Sequence, residues 1–96
     1  MDVMLPLRRS DLEIRLLEGE LVILDMPGGH VHRLNATASL IWNQCDGRST
    51  SAEIAARLAA EFEVASGDAL DDVLRTLAEL RRLGLLAEPN DPMTTR

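Results

Sequence analysis

The sequence predicts an α+β domain: a three-stranded antiparallel sheet followed by three helices. Three observations predict it. The apolar residues alternate over Leu12, Ile14 and Leu16, and recur every three to four positions after Leu34. Turn residues divide the first part into short strands. Capping residues divide the second part into helices.

The elements follow in order. Residues 1–10 hold one proline and no clear period, and a flexible N-terminal arm is expected there. Leu12, Ile14 and Leu16 alternate with Glu13 and Arg15, as in a half-buried strand. Glu18-Gly19-Glu20 is a tight turn. Leu21-Val22-Ile23-Leu24 is a continuous apolar run and suits a central strand. Asp25-Met26-Pro27-Gly28-Gly29 is a second turn, and His30 to Leu34 a third strand. Short turns between three strands imply an antiparallel meander.

Asn35 then caps the first helix, because its side-chain oxygen can accept a first-turn N–H. Ala38, Ile41, Trp42 and Cys45 form its apolar stripe, and Asp46-Gly47 stops it. Thr50 and Glu53 form a capping box for the second helix, over residues 51–62, with Ile54, Ala55, Leu58 and Phe62 buried. Ser66 or Asp68 caps the third helix. Leu70, Val73, Leu74, Leu77, Leu80 and Leu83 mark its stripe, Arg81 and Arg82 match the dipole at its end, and Gly84 terminates it. Leu85-Leu86-Ala87 returns as a short edge segment, and residues 89–96 read as a disordered tail. The domain itself therefore spans residues 11–88. Helix two, its connector and helix three resemble the helical pair of a winged-helix domain. The expected architecture is α+β and winged-helix-like.

Composition bounds the function. With 96 residues there is room for one core. One Trp, one Phe and no Tyr leave Leu, Ile, Val and Ala to build it. One cysteine forms no internal disulfide, which suits a reducing cytoplasm, and no apolar run approaches a membrane span. All ten basic residues are arginine and the net charge is −6, which argues against nucleic acid.

The candidate chemical groups read as structural. His30 and His32 share a strand face, but two imidazoles are too few for a metal site. Cys45 lies near a helix C-terminus, where the dipole disfavours a thiolate. Asp71 and Asp72 point about 100° apart on a helix and share nothing. Pro27-Gly28-Gly29 precedes a strand and is no phosphate loop. Catalytic residues, metal and cofactor are therefore expected to be absent.

One ordered set of residues goes further. It runs Leu34-Asn35-x-Thr37-Ala38, then Ile41-Trp42, then Cys45-Asp46-Gly47-x-x-Thr50, then Glu53-Ile54 and Leu58. It ends in Leu77-Ala78-Glu79-Leu80-Arg81 and Gly84-Leu85-Leu86. Over roughly residues 12–87 this resembles the coenzyme PQQ synthesis protein D (PqqD) family, the peptide chaperones also called RiPP recognition elements. The resemblance implies a domain that binds the leader of a ribosomally made precursor peptide. It would present that peptide to a modifying enzyme, a radical-SAM enzyme or a leader peptidase. In the family the leader adds as a strand beside the third strand, in a groove lined by the third helix. On this chain the strand residues are Val31, His32, Arg33 and Leu34. The helix wall draws on Leu70, Leu74, Arg75, Ala78 and Arg81; by charge alone, Arg75, Arg81 and Arg82 can pair with acidic leader residues.

The physics agrees. A three-stranded sheet leaves an open edge, and an edge that accepts a strand supplies main-chain hydrogen bonds. Two other readings compete. A winged-helix DNA-binding regulator would use the third helix, whose Asp68, Asp71 and Asp72 repel phosphates. A small self-pairing adaptor would use the open edge to form a homodimer.

Overall fold

The computed structural model describes residues 5–26 and 29–87. Strand β1 (Glu13–Leu17) turns through Glu18 and Gly19 into β2 (Glu20–Asp25). Both turn residues have positive φ, 54° and 83°, as a two-residue hairpin turn of matching twist requires. Strand β3 (His30–Leu34) pairs on the other side of β2, and the order is β1-β2-β3, antiparallel throughout. Pro27 and Gly28 of the predicted second turn lie outside the described residues, as does the tail over 89–96.

Alternation sorts the sheet into two faces. Leu21 pairs with Leu34 and Ile23 with His32 on the helix side, where Leu21, Ile23 and Leu34 are buried. Val22 pairs with Arg33 and Leu24 with Val31 on the outer side. The first helix packs on β2 and β3 and leaves β1 beyond its cover; all five β1 residues are exposed.

The first helix, α1 (Ala36–Asn43), starts where the sequence places it. Asn35 Oδ1 accepts the Ala38 N–H at 2.9 Å. Buried Ser39 ties the helix to the sheet: its hydroxyl donates to the Leu34 carbonyl at 2.9 Å and accepts the Leu21 N–H at 3.2 Å. Ile41, Trp42 and Cys45 enter the core, with Ala38 packed against it. Helix α2 (Ser51–Phe62) carries the expected capping box, closed at 3.1 and 2.8 Å. Its buried residues are Ile54, Ala55 and Leu58, whereas Phe62, expected in the core, is exposed at the helix end.

Helix α3 (Ser66–Arg82) corrects its predicted cap. It already begins at Ser66, so Ala65 is the cap residue and makes no side-chain bond. Asp68 lies inside the first turn, where its charge still suits the dipole. Ala69, Val73, Leu77 and Leu80 form its buried stripe.

Residues 6–9 are more ordered than the loose arm expected there. The Arg8 N–H donates to the Cys45 carbonyl at 2.9 Å, and the Arg9 N–H to the Leu85 carbonyl at 3.2 Å. In return the Gly47 N–H donates to Pro6 at 2.9 Å and the Ala87 N–H to Leu7 at 2.7 Å. The segment is thus laced between the loop after α1 and the return after α3. That return forms a single bridge, Arg8 to Leu86, and does not extend into an edge strand. Arg8 also lays its guanidinium 5.5 Å from the Trp42 ring centre. Arg9 donates to the Gly84 carbonyl at 2.8 Å and to both oxygens of Asp11. Residues 1–4 lie outside the described residues.

Candidate functional site: the open edge of β3

Among the described residues, strand β3 has a neighbour on one side only. Which of its backbone groups remain open follows from the register. The two-residue turn makes Leu17 and Glu20 a hydrogen-bonded pair, so Glu20, Val22 and Leu24 turn their backbones to β1. Leu21, Ile23 and Asp25 then face β3, and the Leu21 N–H found on Ser39 agrees. Their partners His32 and His30 turn to β2, while the Leu34 carbonyl accepts from the Ser39 hydroxyl. Val31 and Arg33 are left with N–H and C=O pointing to the open edge.

Beside that edge lies a concavity of 450 Å³ between the end of β3, the start of α1 and the flank of α3. Its floor is apolar, from Leu34, Ala38, Leu80 and Leu83. Its rim is polar, from Arg33, Asn35, Arg75, Thr76 and Glu79. Two guanidinium groups thus stand on opposite walls. Arg33 pairs with Glu20 at 3.0 Å and Arg75 with Asp72 at 3.3 Å, both well exposed to water. Such exposed pairs are weak and exchange readily for a better partner. Glu79 is held below its ordinary pKa by its hydrogen bonds from Arg82 and stays charged at neutral pH.

The expected site residues divide on this geometry. Arg33, Leu34 and Arg75 line the concavity. Leu34 does so as floor, since its side chain is buried. Val31 is 64% exposed on the outer face of the sheet, one step along the edge. His32 is half-buried on the helix side and stacks on His30 with ring centres 6.1 Å apart. Among the described residues no third His, Cys, Asp or Glu joins them as a metal group.

On α3, Leu70, Leu74, Ala78 and Arg81 do not line the concavity. At about 100° per residue, Thr76, Glu79 and Leu83 fall on one flank of the buried stripe, and Leu74, Ala78 and Arg81 on the other. The flank that faces β3 is the first. Leu70 packs against the core beside the stripe, while Leu74 and Ala78 are exposed. Asn35, Ala38, Thr76, Glu79, Leu80 and Leu83 were not expected at the site. Asn35 and Ala38 had a signal, being adjacent in sequence to the strand end.

Cys45 is fully buried, and burial pushes its thiol up to about 11, so it is neutral at physiological pH.

The model of the family described as coenzyme PQQ synthesis protein D (PqqD) matches residues 20–86. The chain belongs to the PqqD family. The match begins at β2 and ends at the return after α3, so it includes β3, α3 and the concavity between them.

Three solved structures share the fold. A lasso peptide synthetase B1 complexed with its leader peptide superposes with a TM-score of 0.76 at 26% identity, covering 88% of this chain and 99% of that one. TbiB1 in complex with the TbiA(beta) leader peptide gives 0.73 at 24% identity, over 83% and 93%. The PqqD truncation of PqqCD from Methylobacterium extorquens, a stand-alone RiPP recognition element solved by NMR, gives 0.70 at 24%, over 86% and 88%. Among curated proteins no match is found. No helix among the described residues is long and apolar enough to cross a membrane.

Proposed function

We propose that this PqqD-family chain is a non-catalytic carrier for the leader of a ribosomally made precursor peptide. The leader adds as a fourth strand beside β3 and bonds the open N–H and C=O groups of Val31 and Arg33. Strand addition makes every second leader residue point to the helix side. One of these, an apolar residue, enters the concavity over Leu34, Ala38, Leu80 and Leu83. The guanidinium groups of Arg33 and Arg75 meet acidic leader residues on either side of it. His32, Leu34 and Arg75 retain their expected part in the site, while Thr76, Glu79 and Leu83 replace Leu74, Ala78 and Arg81 as its helical wall.

The carrying observation is the adjacency itself. An unpaired strand edge is normally a hazard that proteins cover or charge. Here it opens beside an apolar-floored concavity with Arg33 and Arg75 on its rim. Support comes from the similarity to the lasso peptide synthetase B1 structure, which holds a leader peptide. The carrier works in the cytoplasm, where ribosomal peptides are made, and hands its cargo to a radical-SAM enzyme or a leader peptidase.

The test is an isotope-labelled NMR titration with the leader half of a short precursor peptide encoded beside the gene. Saturable shifts at Val31, Arg33, Thr76 and Leu83 are expected. Saturable binding that moves α2 alone, and leaves β3 and α3 still, would refute the site.

A further inference from the structure

The sheet has a second open edge, and the leader reading does not use it. Among the described residues, strand β1 pairs only with β2, and no helix packs on it. With Leu17, Arg15 and Glu13 turned to β2, the backbones of Ile14 and Leu16 face outward. The strand is entirely exposed, yet it carries Ile14, Leu16 and Leu17 at 36%, 68% and 54% exposure. It has no proline, and its two charges, Glu13 and Arg15, neutralise each other. The usual defences of an edge strand are therefore missing.

The charge order says what fits this edge. We propose that it pairs with the β1 edge of a second copy, antiparallel, about a twofold axis beside Ile14. Hydrogen-bonded positions on the open side are the even residues, so Ile14 meets its own copy and Leu16 meets Leu12. Glu13 of each chain then stands directly opposite Arg15 of the other, twice over by symmetry. The neighbouring register, centred on Arg15, would set two arginines face to face and is disfavoured. Ile14, Leu16 and Leu12 all point to the helix side, because Ile14 pairs with Ile23 and Leu16 with Leu21. Pairing thus gathers Ile14 and Leu16 of both chains into one strip where β1 now lacks cover, continued at each end by Leu12, which already packs against its own core. The result is a six-stranded sheet with both β3 edges still open at its ends.

One short strand per copy buries far less than a standard interface, so the dimer is weak and concentration-dependent. Sedimentation equilibrium at about 0.15 M salt, where charge effects are screened beyond about 8 Å, reads it directly. The weight-average mass rises from 10.6 kDa toward twice that value. At roughly 1 mM chain, a dimer with a Kd of about 1 mM holds half the molecules. A constant 10.6 kDa up to that concentration overturns the proposal.

Two variants fix the register. Arg15→Glu and Glu13→Arg each place like charges opposite one another, and each alone is monomeric. Mixed in equal amounts they associate again, because the two carboxylates of the first variant's strand face the two guanidinium groups of the second's. Neither variant keeps the pair within its own strand, so recovery reports contact between chains. Single variants that associate like the native chain, or a mixture that stays monomeric, overturn it. Leader peptide takes no part, so the outcome is independent of the β3 reading.

Discussion

Ser39 shows how much one hydroxyl can hold. It stands between the last rung of the β2–β3 ladder and the first turn of α1, with both hydrogen bonds buried. Ser39→Ala would strand the Leu21 N–H and the Leu34 carbonyl. Leaving buried polar groups unsatisfied costs about 1–3 kcal/mol, and a urea transition at lower midpoint with unchanged slope is expected. The sequence announces Asn35, Thr50 and Glu53 plainly, because each bonds within three positions of itself. It does not announce Ser39, whose partners lie 5 and 18 positions away.

Cys45 supplies a second test at the same scale. Its thiol ionises near 9.0 when solvated and near 11 in the fold. Below pH 9 both states are protonated and stability is unaffected. As pH rises from 9 toward 11 the unfolded chain ionises first, so stability falls across that window and levels off above it. The chain has neither Lys nor Tyr, so no other side chain ordinarily titrates there. The alkaline decline seen by denaturant titration is expected to vanish in Cys45→Ala, whatever that change does to stability at neutral pH.

At the scale of elements, the alternation along β3 makes proline a directional probe. The Val31 N–H faces the open edge, where proline is tolerated. Val31→Pro is expected to keep the fold and weaken leader binding several-fold or more, since it removes one main-chain donor worth about 0.5–1.5 kcal/mol and adds a ring at the contact. The His32 N–H faces β2, and His32→Pro is expected to lose a ladder bond and unfold. Leader affinity by calorimetry and the near-ultraviolet signal of Trp42 separate the two. Helix α2 gives a simpler case: Thr50→Ala opens the capping box and lowers stability by about 0.5–2 kcal/mol in the same melts.

The existence and order of the six elements were legible because period and caps are local. Two limits were not, since Ala65, the cap residue of α3, has no capping side chain, and α1 ends at Asn43, short of Asp46-Gly47. The wall of the groove was not. A helical wheel is symmetric about its buried stripe, and nothing in Ala69, Val73, Leu77 and Leu80 says which flank turns to β3. Leucine at 74 made one flank look attractive, whereas Thr76, Glu79 and Leu83 on the other flank line the concavity at the end of β3.

For the whole molecule, the informative part is the first described segment. Arg8 reaches Asn43 across 35 positions and Arg9 reaches Gly84 across 75. No sequence window connects such residues, which is why residues 6–9 read as loose. Removing residues 1–9 would unseat the cover of Trp42, Leu85 and Leu86 and leave the Cys45 and Leu85 carbonyls without their backbone donors. A drop of several kcal/mol is expected for losing two or more buried backbone bonds and the packing over them. A chain of this size has little margin for that. A truncated chain that melts like the full one would show the segment to be ornament.

The Ala87 N–H rests on the Leu7 carbonyl at 2.7 Å. From residue 7 to residue 87 the path of the backbone is therefore almost a closed loop. A short linker from residue 87 to residue 5, with new ends opened at Val64 and Ala65 in the exposed connector, should give a circular permutant that folds to the same structure. In such a chain β1 and β3 keep both open edges, while the entry and exit of the polypeptide move to the far end of α2.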